Sequence, residues 1–352
     1  MSSGEEIPPR DPSAADGLPE RAARFTIFRG EGALPPELTG AVVALGNFDG
    51  VHRGHRALLD AVRVEAHRTD PPHPAAALTF EPHPRAYFAP DQPMFRLTGP
   101  AAKEIAFAHL GLDGMIEQRF DASLAGLGPA EFVDGLLKTR LGLSGVVIGH
   151  DFHFGRGRSG TPAILAELCA RAGLACRIVP AVSIQPGERP ISSSAIRAAL
   201  GAGAVDEANA LLGYRWFVLG EVRHGEKRGR DLGFPTANLA LDSCGLAHGI
   251  YAVRMRLADG TLHDGVASYG RRPTFDDGAP LLETYLFDFS GDLYGQEVAV
   301  EFVGFIRGEE RFASAEALVV RMHVDAAEAR GILAKDRVVS MLDESAVEKA
   351  DI

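Results

Sequence analysis

From about Phe25 to Leu212, short apolar runs alternate with longer stretches whose apolar positions recur at helical spacing. That is the pattern of strand–helix–strand units around a mostly parallel sheet. It predicts strands at Ala41–Leu45, Ala75–Thr79, Gly114–Ile116, Gly145–Ile148 and Ala175–Val179, and helices at Arg56–Arg68, Ala101–Leu110, Pro129–Leu141 and Pro162–Ala172. After Gly213 the period drops to two. Tyr251, Val253, Met255 and Leu257 share one face and Arg254 and Arg256 the other, as in a half-buried strand. Asp259 and Gly260 then give a hairpin turn, and Val298, Val300 and Phe302 repeat the alternation. Residues 216–307 therefore read as an antiparallel sheet or small barrel. Helical spacing returns from Ser314, a residue suited to cap a helix, to about Leu342. No segment repeats another. The expected architecture is α/β: a polar, disordered leader at 1–24, a doubly wound domain at 25–205, a small β-barrel domain with a C-terminal helix at 206–340, and a tail at 341–352.

Composition agrees with two globular domains: 352 residues, 46% hydrophobic and 24% charged. The net charge of −11 leaves no broad basic surface for sequence-independent nucleic-acid binding. Positive charge that meets phosphates must be local. Three cysteines, Cys169, Cys176 and Cys244, are odd in number and lack CxxC spacing, which argues against a disulfide framework or structural zinc and for a reducing compartment. The N-terminal stretch Met1–Arg24 has no apolar core of signal-peptide length, and no later run reaches the ~18 apolar residues of a membrane span. A cytoplasmic location is expected.

The segment GNFDGVHRGH, from Gly46 through Asn47, Phe48, Asp49 and Gly50 to His52 and His55, stands where an apolar strand ends and a helix begins. In open α/β sheets ligands bind there. Its glycines let the backbone approach a ligand, and the following helix N-terminus offers free N–H groups to an anion, so phosphate is the natural guest. His52 and His55, three apart, can turn both imidazoles to one side and donate to phosphate oxygens. A zinc pair would need a third ligand and an HExxH-like frame, which is absent; two surface histidines are the other plain reading. No GxxxxGK[ST] string occurs. Three more segments follow strands or open helices. TFEPHPR carries Pro82 and His83 in a proline-fixed loop, either a wall for a planar ligand or only a rigid turn. GHDFHFG carries Asp151 and Phe152. ISSSAIR carries Ser192, Ser193, Ser194 and Arg197, either anion contacts or an ordinary cap with a solvated arginine.

In the second half, GEVRHGEKRGRDLGFPTAN joins a strand to a glycine- and arginine-rich loop (Gly225, Arg228, Gly229, Arg230) and a turn (Gly233, Pro235, Thr236, Asn238). Such a loop can fold over phosphates; otherwise it is a flexible basic loop. Glu283 lies further on, in LLETYLFDFSGDLYG.

HxGH is similar to the signature of the nucleotidyltransferase superfamily, and the longer GNFDGVHRGH string resembles FMN adenylyltransferases. LGFPTAN resembles the signature of riboflavin kinases, and RRPTF at 271–275 with the Glu283 segment extends the match to about 25–335. Together they resemble the bifunctional riboflavin kinase/FMN adenylyltransferase (bacterial FAD synthetase) family. The resemblance implies a Rossmann-like nucleotidyltransferase domain, riboflavin, FMN and ATP as substrates, and Mg2+. It implies that His52, His55 and Arg197 stabilise phosphate charge in adenylyl transfer, that the serines of 192–194 join Arg197 at the triphosphate, and that Asp151 fills an acidic or amide position. It further implies that Thr236 and Asn238 help hold magnesium and ATP, and that Glu283 is the base for the ribityl hydroxyl. Ser194 replaces a threonine; His150, Ser268 and Tyr285 depart from the family pattern. Ser268 and Tyr285 leave open an adenylyltransferase with an impaired kinase. A non-enzymatic flavin or nucleotide sensor is a third reading, against which His52, His55 and Glu283 are all present. The oligomeric state is not legible.

Overall fold

The computed structural model describes residues 25–343, apart from 31, 93, 186, 188, 226–232, 242–243 and 272–279. Six parallel strands form the first sheet: β1 (Thr26–Phe28), β2 (Val42–Leu45), β3 (Ala75–Glu81), β4 (Gly114–Arg119), β5 (Gly145–Gly149) and β6 (Ala175–Val179). Their spatial order is β1-β4-β3-β2-β5-β6. Parallel strands need both faces covered. On β2, Val42 and Ala44 point to one core, shared with Leu59 and Val62 of helix α1 (Arg53–Ala66). Val43 and Leu45 point to the other, shared with Phe132 and Leu136 of the helix over Glu131–Arg140 and with Leu165 of α5 (Pro162–Ala172). The chain order reverses direction at β2/β5, so the crevice beyond their C-terminal ends is the expected ligand site of this topology. Short α2 (Pro84–Phe88), α3 (Pro100–His109) and α4 (Ala122–Gly126) complete this half.

Most expected elements are present, with shifted ends. Strands β3 and β4 run on to Glu81 and Arg119 because their polar continuations pair with each other, Thr79 with Glu117 and Glu81 with Arg119. Helix α1 starts at Arg53, three residues before its apolar spacing begins, because His52 caps it through Nδ1. The Glu131–Arg140 helix is wound with wide π-type bonds.

The second sheet is antiparallel, ordered β7-β12-β9-β10-β11-β8. Its strands are β7 (Phe217–Glu221), β8 (Thr236–Ala240), β9 (Gly249–Arg256), β10 (Leu262–Arg271), β11 (Pro280–Leu286) and β12 (Glu297–Arg307). The Arg223 N–H, just past β7, donates to the Asn238 carbonyl at 2.8 Å and brings the two edges together into a nearly closed barrel. Tyr251, Val253 and Met255 fill its interior, as the alternation requires. Helix α8 (Ala315–Lys335), capped by Ser314, packs Ala329 and Leu333 on the outer face. Among the described residues no helix is long and apolar enough to cross a membrane.

Helices α6 (Ser193–Gly201) and α7 (Val205–Leu212) join the halves. The barrel core continues through Trp216 and Tyr214 into both helices and on to Leu97.

Candidate active sites

The GNFDGVHRGH loop leaves β2 and the GHDFHFG loop leaves β5, so both flank the crevice at the switch point. The first is a tight reversal with Phe48, Gly50 and Val51 all at positive φ (51°, 95° and 35°). For a β-branched valine that conformation is strained and persists only where the surroundings fix it. They do: Phe48 and Val51 are fully buried, the Gly50 N–H donates to Thr98 Oγ1 at 2.9 Å, and Asp49 Oδ1 accepts the Thr98 N–H at 3.0 Å. Gly46 sits against the Phe48 ring, where an added Cβ would stand 3.2 Å away.

His52 and His55 stack with ring centroids 3.7 Å apart, and the Phe48 ring meets His55 edge-on. His52 Nδ1 accepts the His55 N–H, which leaves its Nε2 as the protonated nitrogen of a neutral ring. Burial holds both rings neutral: the pKa of His52 is lowered to about 4 and that of His55 well below its usual value, the latter also pushed by His52 and Lys103. His55 Nδ1 is buried without a hydrogen-bond partner. Two neutral imidazoles that present N–H groups suit anionic oxygens without competing for protons at neutral pH.

A consequence appears in stability. The His52 pKa is lowered on folding from 6.5 to about 4, so between those values the unfolded chain binds more protons and stability is lost as the pH falls. Thermal unfolding should be flat from pH 8 to 7 and decline from pH 6.5 to 5, where most carboxylates are still ionised. His52 alone should cost about 2 kcal/mol over that window. A pH-independent melting temperature between 6.5 and 5 would contradict the buried neutral pair.

Arg197, on α6, reaches back to this loop. Its guanidinium pairs with Asp49 and donates from Nε to the Phe95 carbonyl at 2.7 Å. Ser193 Oγ donates to the Asp49 carbonyl at 2.6 Å and Ser192 caps α6, so both hydroxyls have structural partners, while Ser194 is exposed. Asp151 is exposed and close enough to His52 to raise its proton affinity slightly. His83 caps α2 and is lowered to about 4, chiefly by burial. Phe152 stacks near Phe154.

The second site lies on the barrel. Asn238 on β8, Glu283 on β11 and Ser268 on β10 stand opposite one another in register across three strands, and Thr236 stands opposite Tyr285. Alternation puts Thr236, Asn238, Glu283 and Tyr285 on one face. Asn238 donates from Nδ2 to the Thr236 carbonyl, and its Oδ1 is buried with no hydrogen-bond partner. Gly225 lies against that amide: an added Cβ would stand 2.5 Å from Nδ2. The Tyr285 ring packs edge-on against Phe234, just ahead of Pro235, and Phe234 also meets His323 of α8. Gly233 takes φ +83° in the turn before Phe234. Arg228, Gly229, Arg230 and most of the RRPTF segment lie outside the described residues.

Two family models match the chain, FAD synthetase over residues 34–195 and riboflavin kinase over 212–333. A bifunctional riboflavin kinase/FMN adenylyltransferase of Pseudomonas fluorescens is 40% identical over 311 residues, covering 88% of this chain and 98% of the relative. The chain belongs to the bifunctional riboflavin kinase/FMN adenylyltransferase family. The proteins of that name from Escherichia coli K12 and Bacillus subtilis 168 are 37% and 35% identical over 83% and 84% of this chain, and 92% and 93% of their own lengths. A Streptococcus pneumoniae crystal structure described as a macrolide-efflux protein has the same fold, with TM-score 0.76, 31% identity and coverage of 87% of this chain and 99% of that one.

In this family member the structure also gathers residues that motif reading passed over. Lys103 on α3 is 1% exposed, donates to Thr79 Oγ1 at 3.2 Å and lies 3.9 Å from Glu81. Arg96 makes two parallel bonds to Glu81, at 2.6 and 2.8 Å. Beside Pro82 opens a cavity of about 1260 Å³, lined by Arg29, Arg119, Leu124, Leu127 and Arg140 among others. Tyr87, Phe88 and Phe120 meet edge-on, and Phe88 is 68% exposed.

Proposed function

We propose that this chain makes FAD in two steps on two sites: riboflavin plus ATP gives FMN and ADP on the barrel, then FMN plus ATP gives FAD and pyrophosphate at the β2/β5 crevice. The observation that carries the reading is the pair of separate phosphate-suited constellations, each within its own family-model match: the stacked neutral histidines at the switch point and the Asn238–Glu283 row on the barrel. The division at 205/206, with domains at 25–205 and 206–340, belongs to the same proposal, as does a cytoplasmic location, which the free cysteines favour.

On the barrel, Glu283 takes the proton from the terminal ribityl hydroxyl as its oxygen attacks the γ-phosphorus and the bond to ADP breaks. Thr236 and Asn238 fit a magnesium ion: both offer hard oxygens on one face, and the Asn238 oxygen is buried with no protein partner. When bound there with ATP, the ion draws charge from the phosphate oxygens. Phe234 and Tyr285 supply an apolar wall beside the row, so tyrosine at 285 keeps a flat ring at that place. At the crevice no protein nucleophile is needed. An FMN phosphate oxygen attacks the α-phosphorus and pyrophosphate leaves; His52 and His55 donate to the oxygens that gain charge, and Arg197 steadies the triphosphate. The glycines of 46 and 50, with Asn47, Phe48 and Asp49, shape the cradle, and Asp151 and Ser194 line its mouth. The proline-fixed loop of Pro82 and His83, with the cavity that opens beside Pro82, is where the planar flavin ring would lie.

Purified protein given riboflavin, ATP and magnesium should form FMN, then FAD with pyrophosphate, and EDTA should stop both steps. FAD from supplied FMN but none from riboflavin would favour the impaired-kinase reading, and binding without turnover would favour a sensor. The Gly225→Ala change should slow riboflavin phosphorylation at least about tenfold, because its Cβ displaces the Asn238 amide, and should leave FMN adenylylation unchanged. Equal loss of both activities would contradict the placement of Asn238.

A further inference from the structure

We infer that Tyr214, in the connection between the two halves, is a positioning residue for adenylyl transfer, holding the strained loop that presents His52 and His55. The inference rests on the two-site reading above and concerns how the first site is built.

Gly50 is the pivot of that loop, at φ +95° between Phe48 and Val51, both also at positive φ. Its two backbone groups are fixed from outside the loop. The N–H is held by Thr98 Oγ1 at 2.9 Å, and the carbonyl accepts the Tyr214 hydroxyl at 2.7 Å. Thr98 and Tyr214 thus grip Gly50 from its two sides, one through the N–H and the other through the carbonyl. Tyr214 is 1% exposed and comes from beyond α7, two residues ahead of Trp216 at the mouth of the barrel.

The grip is anchored in the barrel. Trp216 donates from Nε1 to the Leu97 carbonyl at 2.9 Å, next to Thr98. The Trp216 N–H donates to Asn209 Oδ1, and Asn209 donates to the Phe302 carbonyl of β12. Below Gly50, Leu97 and Leu212 fill the space a side chain would need. A strained turn keeps one geometry only while its surroundings over-determine it. Here part of that determination comes from the connection and the kinase barrel, two residues before the cap of α1. Loss of the Tyr214 hydroxyl leaves the Gly50 carbonyl buried without that donor and frees the turn to relax, which moves the imidazoles away from the oxygens they must meet.

The test compares Tyr214→Phe with Tyr251→Phe, which deletes an equivalent hydroxyl, bonded to the Ala247 carbonyl inside the barrel and remote from Gly50. In Tyr214→Phe, kcat for FAD formation from FMN should fall about tenfold with KM for FMN and riboflavin phosphorylation unchanged. Amide hydrogen exchange over residues 46–55 should quicken in Tyr214→Phe and not in Tyr251→Phe. Equal exchange and equal kcat in the two variants would overturn the inference. A parent protein that makes no FAD would sink the functional reading instead, and the exchange comparison would still decide whether Tyr214 holds the loop.

Discussion

His55→Ala protein should make FMN from riboflavin at the parent rate while its conversion of FMN to FAD falls by about 10²-fold or more. His55 is half-buried, held neutral and stacked on His52, so its ring both offers a donor to the phosphates and fixes the facing imidazole. Loss of one such pre-aligned donor in a water-poor site costs about 10² to 10³ in rate. Riboflavin phosphorylation on the same preparation reports folding, because the barrel row lies on the other sheet. Separate assays with riboflavin and with FMN check it, and equal loss of both products in a folded variant would remove the claim of independent sites.

Glu283→Gln should have the opposite signature: riboflavin phosphorylation down by about 10² to 10⁴, with supplied FMN still adenylylated. A primary hydroxyl is a weak nucleophile at neutral pH, whereas the FMN phosphate is already ionised, so only the first step needs a base. Glutamine preserves size and position on β11 opposite Asn238 and removes the capacity to take a proton. Phosphorylation at the parent rate would make Glu283 an ordinary strand residue.

Local pattern carried most of the architecture. The apolar runs of β2 and β5 and the alternation of β9 are one-dimensional signals, and they place the two sheets and the loops that leave them. The three-residue β1 was missed because it is short and only half-buried, and its pairing with β4 is not written in its own composition. The motif residues could be picked out because glycine, histidine and proline at fixed offsets are rare by chance. Their partners could not. Lys103 looks like a solvated helix residue in its local sequence and is instead buried under Glu81 and Thr79. The ISSSAIR segment reads as anion contacts or a helix cap; Ser192 is that cap, but the bond from Ser193 to the distant Asp49 carbonyl has no local signal. Tyr214 and Trp216 precede the first barrel strand and read as its apolar start, while their polar atoms reach the other half of the chain. Such roles depend on which elements meet in space, and periodicity is silent about that.

The central claim is that one chain carries two separable activities in sequence, and mixing the two defective variants tests it most directly. His55→Ala and Glu283→Gln proteins should each fail to make FAD from riboflavin, magnesium and ATP. Combined in one tube, they should restore FAD formation, as FMN released by the first is taken up by the second. A mixture that accumulates FMN, or that leaves riboflavin unconsumed, would contradict the account.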